Sequence, residues 1–417
     1  MRIMQRSPQA DGSVAGPPPH SRAFPFLSHG FRPFFLGAAV WAVISMAIWL
    51  GALADLWPLA EDYGAVAWHA HELLFGYAVA VVAGFLLTAV PNWTGRLPVA
   101  GWPLLLLFLL WCTARIGFLV TGVVGPLAVV VIDSLFLPSL LLLMAREIAA
   151  GRNWRNLKPL ALVGLLAAAN IAFHVEVLSA GAPNVASRLG IAALIGLIML
   201  IGGRIVPSFT HNWLSRTGSE RLPASFGSFD IAALLFSGVA LFLWILWPTS
   251  TMTGVIFFIA ACLQGVRLWR WSGAPTWREP LVLILHLGYA FVPFGFLLGA
   301  IAIGSPGALG GTAALHAWTV GAVGVMTLAV MTRATRGHTG RRLTASRLTI
   351  AVYAAILAAA LLRIAAGITP RLYLALIDIA GVAWTAAFAM FLIEYAPMLV
   401  GSRLERGVAN QSEDVAP

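Results

Sequence analysis

WHAHELLFGYAVAVVAGFLLTAVPNWTGR, residues 68–96, sets two histidines and a glutamate (His69, His71, Glu72) at the head of an apolar segment long enough to cross a bilayer. The segment closes on Thr94, Gly95 and Arg96. Further along, residues 316–341 have the same layout. The step from His71 to Gly76 equals that from His316 to Gly321, and the step from His71 to Thr94 equals that from His316 to Thr339. One segment reads as a copy of the other.

The rest of the chain has a similar composition. Of its 417 residues 60% are hydrophobic and 10% charged, with a mean hydropathy of +0.88. No compact soluble fold has enough interior to hide that much apolar surface, so the chain reads as a polytopic membrane protein. Long apolar runs between short polar loops point to helices, because barrel strands would alternate in polarity over about ten residues. The net charge of +10 sits in the loops rather than on one soluble face, so it reports topology and not nucleic-acid binding. Cys112 and Cys262 lie in separate apolar runs with no CxxC spacing, and read as buried small hydrophobes rather than as a disulfide or thiolate site.

The apolar runs predict an all-α protein of twelve spans, at about 34–56, 70–91, 102–120, 123–145, 158–179, 187–207, 229–248, 252–271, 280–303, 311–332, 348–367 and 371–398. With both termini cytoplasmic, all 26 Lys and Arg residues except Arg115, Arg188, Arg363 and Arg371 fall on the cytoplasmic side. Residues 1–30 lack the apolar core of a cleaved signal and read as a disordered cytoplasmic tail; 31–400 read as one transmembrane domain, and 401–417 as a cytoplasmic C-terminal tail. Gly196, Asn212-Trp213 and Arg216 of the sixth span fall in register with Gly76, Asn92-Trp93 and Arg96. The chain therefore divides into three pseudo-repeats of four helices, about 31–146, 157–271 and 279–398.

Charges inside the spans cost about 3 kcal/mol or more unless paired or hydrated, and so mark functional candidates. Arg115 and Asp133 in the third and fourth spans, and Arg363 and Asp378 in the eleventh and twelfth, lie at similar distances from their connecting turns. Each couple reads either as a salt bridge locking a hairpin or as a partner for a cofactor carboxylate. The histidines sort by side. His69, His71, His174 and His316 fall toward the outside; His29, His211, His286 and His338 fall toward the cytoplasm; His20 is set aside with the tail.

Imidazole is the commonest ligand of haem iron and copper. Because His71 and His316 hold equivalent places in two copies of one unit, they are the expected axial pair of a cofactor. His69 stands about 200° around the helix from His71, which suits a separate outer site with His174 or Glu72. On the inner side His29, His211 and His338 accompany Arg32, Arg204 and Arg333 and could equally anchor anionic lipid headgroups. No GxGxxG or Walker pattern occurs.

HGFRPFF (29–35), the opening stretch (68–96), GGRIVPSFTHNWL (202–214) and HAWTVGAVGVMTLAVMTRATRGHTGR (316–341) together resemble the NnrS family over nearly the whole chain. The resemblance implies a multispanning protein of the bacterial inner membrane, carrying haem b and copper and linked to the response to nitric oxide. Which histidines hold which metal does not follow from it.

The architecture is also distantly like the catalytic subunit of haem-copper oxidases, with twelve helices in three arcs and haem ligands on the second and tenth. The likeness breaks at the sixth span, whose middle is IGLIMLIGG, and at the seventh, 230–248, which has no histidine. The expected function is therefore haem and copper chemistry on nitric oxide or a related small ligand, with His71 and His316 on the haem, Arg115 and Arg363 at its propionates, further histidines on copper, and an electron donor that the sequence does not name. The alternatives are a secondary transporter, for which Tyr289 to Gly295 with Pro293 is the one candidate for a broken helix, and a metal-binding sensor without turnover.

Overall fold

The computed structural model describes residues 24–404 apart from 61, 306 and 308. His20, most of the N-terminal tail and residues 405–417 lie outside the described residues. Among the described residues twelve helices are long and apolar enough to cross a membrane: α1 (Phe31–Leu53), α2 (Ala65–Thr94), α3 (Trp102–Leu119), α4 (Pro126–Ala150), α5 (Trp154–Ala180), α6 (Asn184–Arg216), α7 (Ser228–Leu246), α8 (Thr251–Trp269), α9 (Pro280–Gly304), α10 (Gly311–His338), α11 (Arg347–Ala366) and α12 (Pro370–Val400). In hydrocarbon every backbone N–H and C=O must be satisfied within the segment, so apolar runs of this length become helices.

The helices differ in how far they are covered. The central windows of α2, α6, α9 and α10 are 61–78% buried, against 33% for α3, α4 and α12, so the first group forms the interior and the second faces outward. The ring closes on itself, because α1 packs against α12. Trp384 Nε1 of α12 donates to the Ala42 carbonyl (3.1 Å). Arg32 lies buried and does not face a lipid headgroup. Its Nη1 donates to the carbonyls of Leu399 (2.8 Å) and Gly401 (2.6 Å) at the open end of α12, which satisfies groups a helix terminus leaves orphaned.

Three inner helices are not regular. α2 widens into a π-helical turn at Glu72–Ala78, α6 at Ile198–Gly202 and α10 at Ala317–Val325. Such turns lodge extra residues in the helix and concentrate at functional sites. His71 and His316 are each the last residue before the π turn of their helix. α2 and α10 also finish alike, with Gly95 (φ 70°) and Gly340 (φ 78°) left-handed just beyond their ends, the backbone that glycine adopts without penalty.

Several sequence expectations change. Phe24 to Gly30 belongs to the described fold: Pro25–Leu27 forms a 3₁₀ turn, and the Leu27 carbonyl accepts from Gly101 N–H (2.9 Å). α9 runs unbroken from Pro280 to Gly304 through Pro293, so the candidate for a broken helix is not one. Cys262 is exposed and Cys112 half-buried, rather than both being interior.

A buried candidate metal centre

The stretch around His71 gathers partners from four other parts of the chain. Its imidazole is fully buried and boxed by the rings of Phe75 (5.3 Å between centroids), Phe118 (4.7 Å), Phe173 (5.4 Å) and His174 (4.7 Å). Nδ1 is 2.9 Å from Glu72 Oε1; Nε2 is 3.2 Å from Asp133 Oδ2 and 3.2 Å from Asn170 Nδ2. Asp133 Oδ2 in turn lies 3.0 Å from His174 Nε2. On the far side of that ring the Tyr63 hydroxyl lies 2.8 Å from Nδ1. Arg115 lies against both carboxylates, with Nη1 donating to Glu72 (2.7 Å) and Nη2 to Asp133.

Local structure explains the convergence. His71 opens the π turn, and Glu72 is its first residue. Gly76 within that turn leaves room for the guanidinium, since a Cβ there would stand 2.6 Å from Arg115 Nη1. Asn170 and His174 lie four residues apart on α5, hence on one face. Arg115 and Asp133 do pair, as one of the two sequence readings had it. Arg363 and Asp378 do not: among the described residues no ion pair joins them, and Asp378 is exposed. Arg363 lies over the Tyr373 ring instead (5.8 Å).

Hydrogen-bond accounting shows what the cluster lacks. A carboxylate accepts, so His174 Nε2–H donates to Asp133 and Nδ1 accepts from the Tyr63 hydroxyl. Burial, followed by the charge of Glu72, raises the pKa of Tyr63, which keeps that hydroxyl a donor. A neutral His71 has no such solution. With Nδ1–H given to Glu72, its Nε2 faces both an acceptor, Asp133 Oδ2, and a donor, the Asn170 amide, and one neutral ring nitrogen cannot serve both.

The Asn170 carbonyl oxygen is meanwhile buried without a partner. Two carboxylates, Glu72 and Asp133, share the single guanidinium of Arg115, so in formal charge the cluster is one cation short when both imidazoles are neutral. A metal ion among His71 Nε2, Asp133 Oδ2 and His174 Nε2 would remove the mismatch at His71 and supply the missing charge. These three atoms lie within 4.8 Å of one another, all on buried residues. Each imidazole would then use Nδ1–H to donate to an outer partner, Glu72 or Tyr63, the arrangement that orients metal-bound histidines.

The expected axial pair is not brought together. His71 groups with His174, and His316 Nδ1–H donates to the Thr312 carbonyl of its own helix (2.7 Å). His69 turns away from His71, as its position on the helix required, and stacks on Trp49 (4.3 Å between centroids). His174 and Glu72, weighed as partners for His69, belong to His71 instead. The Arg363 Nη1 is buried without a partner.

At the other end of the bundle, His29 and His338 flank the Phe31 ring (6.0 and 5.4 Å). His286 is buried with its Nε2 2.8 Å from the Thr210 hydroxyl, a satisfied core histidine. His211 is exposed. Arg204 donates to Asn156 (3.2 Å), and Arg333 lies over the Phe209 ring (4.0 Å).

Sequence reasoning passed over Tyr63 and Asn170. The i, i+4 spacing of Asn170 and His174 inside an apolar span was a usable signal. Tyr63, in a loop, gave none. Compared with known families, residues 25–403 match the family described as NnrS protein. A search of curated proteins returns no match.

Proposed function

The chain belongs to the NnrS family, and from that premise and the His71 cluster we propose a metal-binding protein of the bacterial inner membrane that handles nitric oxide or a related small ligand. The observation that carries the reading is the convergence of two imidazole nitrogens and one carboxylate oxygen within 4.8 Å, at a depth where a neutral His71 leaves its Nε2 mismatched. Imidazole suits copper, zinc, iron and nickel. Copper is the ion the family reading favours. His71, Asp133 and His174 would hold it, and a three-ligand set leaves a position for a small ligand. Phe75, Phe118 and Phe173 pack against the His71 imidazole and make its surroundings apolar.

Haem does not fit the residues first expected to hold it. In this reading His71 Nε2 serves the cluster metal with Asp133 and His174, and Arg115 is taken up by Glu72 and Asp133 rather than free for a propionate. The chemistry left for such a group is at His316, whose Nε2 lone pair is presented once Nδ1–H is given to Thr312. Placing the Arg96 end of α2 in the cytoplasm follows the Lys and Arg bias, and puts the His71 cluster toward the outer half of the membrane.

Metal analysis of purified protein tests the proposal. Copper at about one ion per chain, lost in both His71→Ala and His174→Ala but kept in His316→Ala, is the expected result. Retention of the metal in both cluster variants would refute the site.

A further inference from the structure

Between α2, α6 and α10 lies a half-open chamber of about 80 Å³ lined by Ala78, Val82, Phe85, Leu197, Val323 and Thr327 among others. Its one polar side chain has no proton to spare and at most one free acceptor site. The Thr327 hydroxyl donates to its own helix carbonyls and lies 2.5 Å from the Tyr77 hydroxyl. A water needs two to four polar partners, so a chamber of this lining stays dry and suits small apolar occupants. Any ion or strongly polar ligand would lose hydration there with nothing in return.

The chamber does not stand alone. A second cavity of about 220 Å³ toward the Arg96 end shares Phe85, Ile201 and Ile205 with it, and ends on the polar groups of Asn92, Arg204 and His338. In the other direction Phe75 stands one helical turn beyond Ala78, with its ring on His71. The tip of that ring abuts Gly190, one turn along α6 from the chamber residue Leu194. One stripe of α2, with Phe75, Ala78, Val82, Phe85, Ala89 and Asn92 at helical spacing, therefore runs from the metal cluster to the polar mouth.

We propose that this chamber is a binding site and passage for small uncharged molecules of diatomic size, connecting the Arg96-end vestibule to the His71 cluster, with Phe85 and Phe75 as its two gates. The passage rests on the metal reading above only for its destination. Gas-like ligands meet both demands of the lining, fitting 80 Å³ and needing no hydrogen bonds.

Xenon-pressurised crystals of the full-length protein provide the test. A xenon peak between Val82, Leu197 and Val323 is expected, lost in Val82→Trp or, if that variant fails to fold, in Val330→Trp, and extended toward His71 in Phe75→Ala. Ordered water or a lipid acyl chain in the chamber, the absence of xenon from it, or a peak unmoved in Phe75→Ala would overturn the proposal. Copper measured on the same samples separates the two readings: xenon without metal supports the chamber and refutes the metal site, and metal without xenon does the reverse.

Discussion

Removing the Arg115 guanidinium leaves Glu72 and Asp133, both buried, without their cation. Breaking one side of such a network costs about 3–5 kcal/mol, so Arg115→Leu should lower the melting temperature in detergent far more than Arg363→Leu, which breaks no ion pair. Equal losses would show that the cluster does not depend on its cation. A second residue-scale effect is at the other end of the bundle, outside the spans. Burial, followed by the charges of His338, Arg32 and Arg403, pushes His29 down to about 4, from about 6.5 when free. Between those values the unfolded chain binds a proton that the folded chain refuses, so acid favours unfolding. The stability contributed by neutral His29 is complete above about pH 6.5 and is lost as pH falls through about 4. His29→Gln should accordingly unfold with a flatter pH dependence over that window, and an unchanged slope would count against it. Of these groups the sequence exposed Arg115, Asp133 and the histidines, because polar residues stand out in apolar runs. It could not show which would meet.

Among the elements, α2 carries most of the chemistry, and its π turn opens at Glu72, directly after His71. Deleting Leu73 should restore regular α-helical winding and remove the widened turn on which Glu72 and Gly76 meet Arg115. The rest of the helix keeps nearly the same facing, because a π turn absorbs an extra residue by winding fewer degrees per residue. The protein should still insert, because the apolar span survives, but lose bound copper; copper retained would show that the π turn does not set the geometry. Gly76→Ala is the milder form of the same experiment. Its Cβ would stand 2.6 Å from Arg115 Nη1 and 3.0 Å from Glu72 Oε2, so we expect destabilisation of about 1–3 kcal/mol from overpacking, measured as a fall in melting temperature together with reduced copper. Periodicity located α2 and its polar ends. The π turn was not legible, because one or two extra residues in a helix leave no mark in an apolar run.

For the whole molecule, closure of the ring depends on contacts between its first and last helices. Arg32 satisfies two or more carbonyls at the end of α12 through one buried guanidinium. Arg32→Ala should therefore cost about 2–3 kcal/mol, the scale of hydrogen bonds to a charged group, and make α12 the first segment released in limited proteolysis. Release of another helix first would show that closure does not rest on Arg32. The sequence by itself determined that twelve helices cross a membrane, and where the polar residues fall along them. Lipid imposes that outcome locally, through about twenty apolar residues per span and a backbone satisfied within each helix. Only the tertiary structure decided that His71 meets His174, Asp133 and Tyr63 rather than His316. That choice depends on which helix faces pack against one another, a relation between segments that no single segment records.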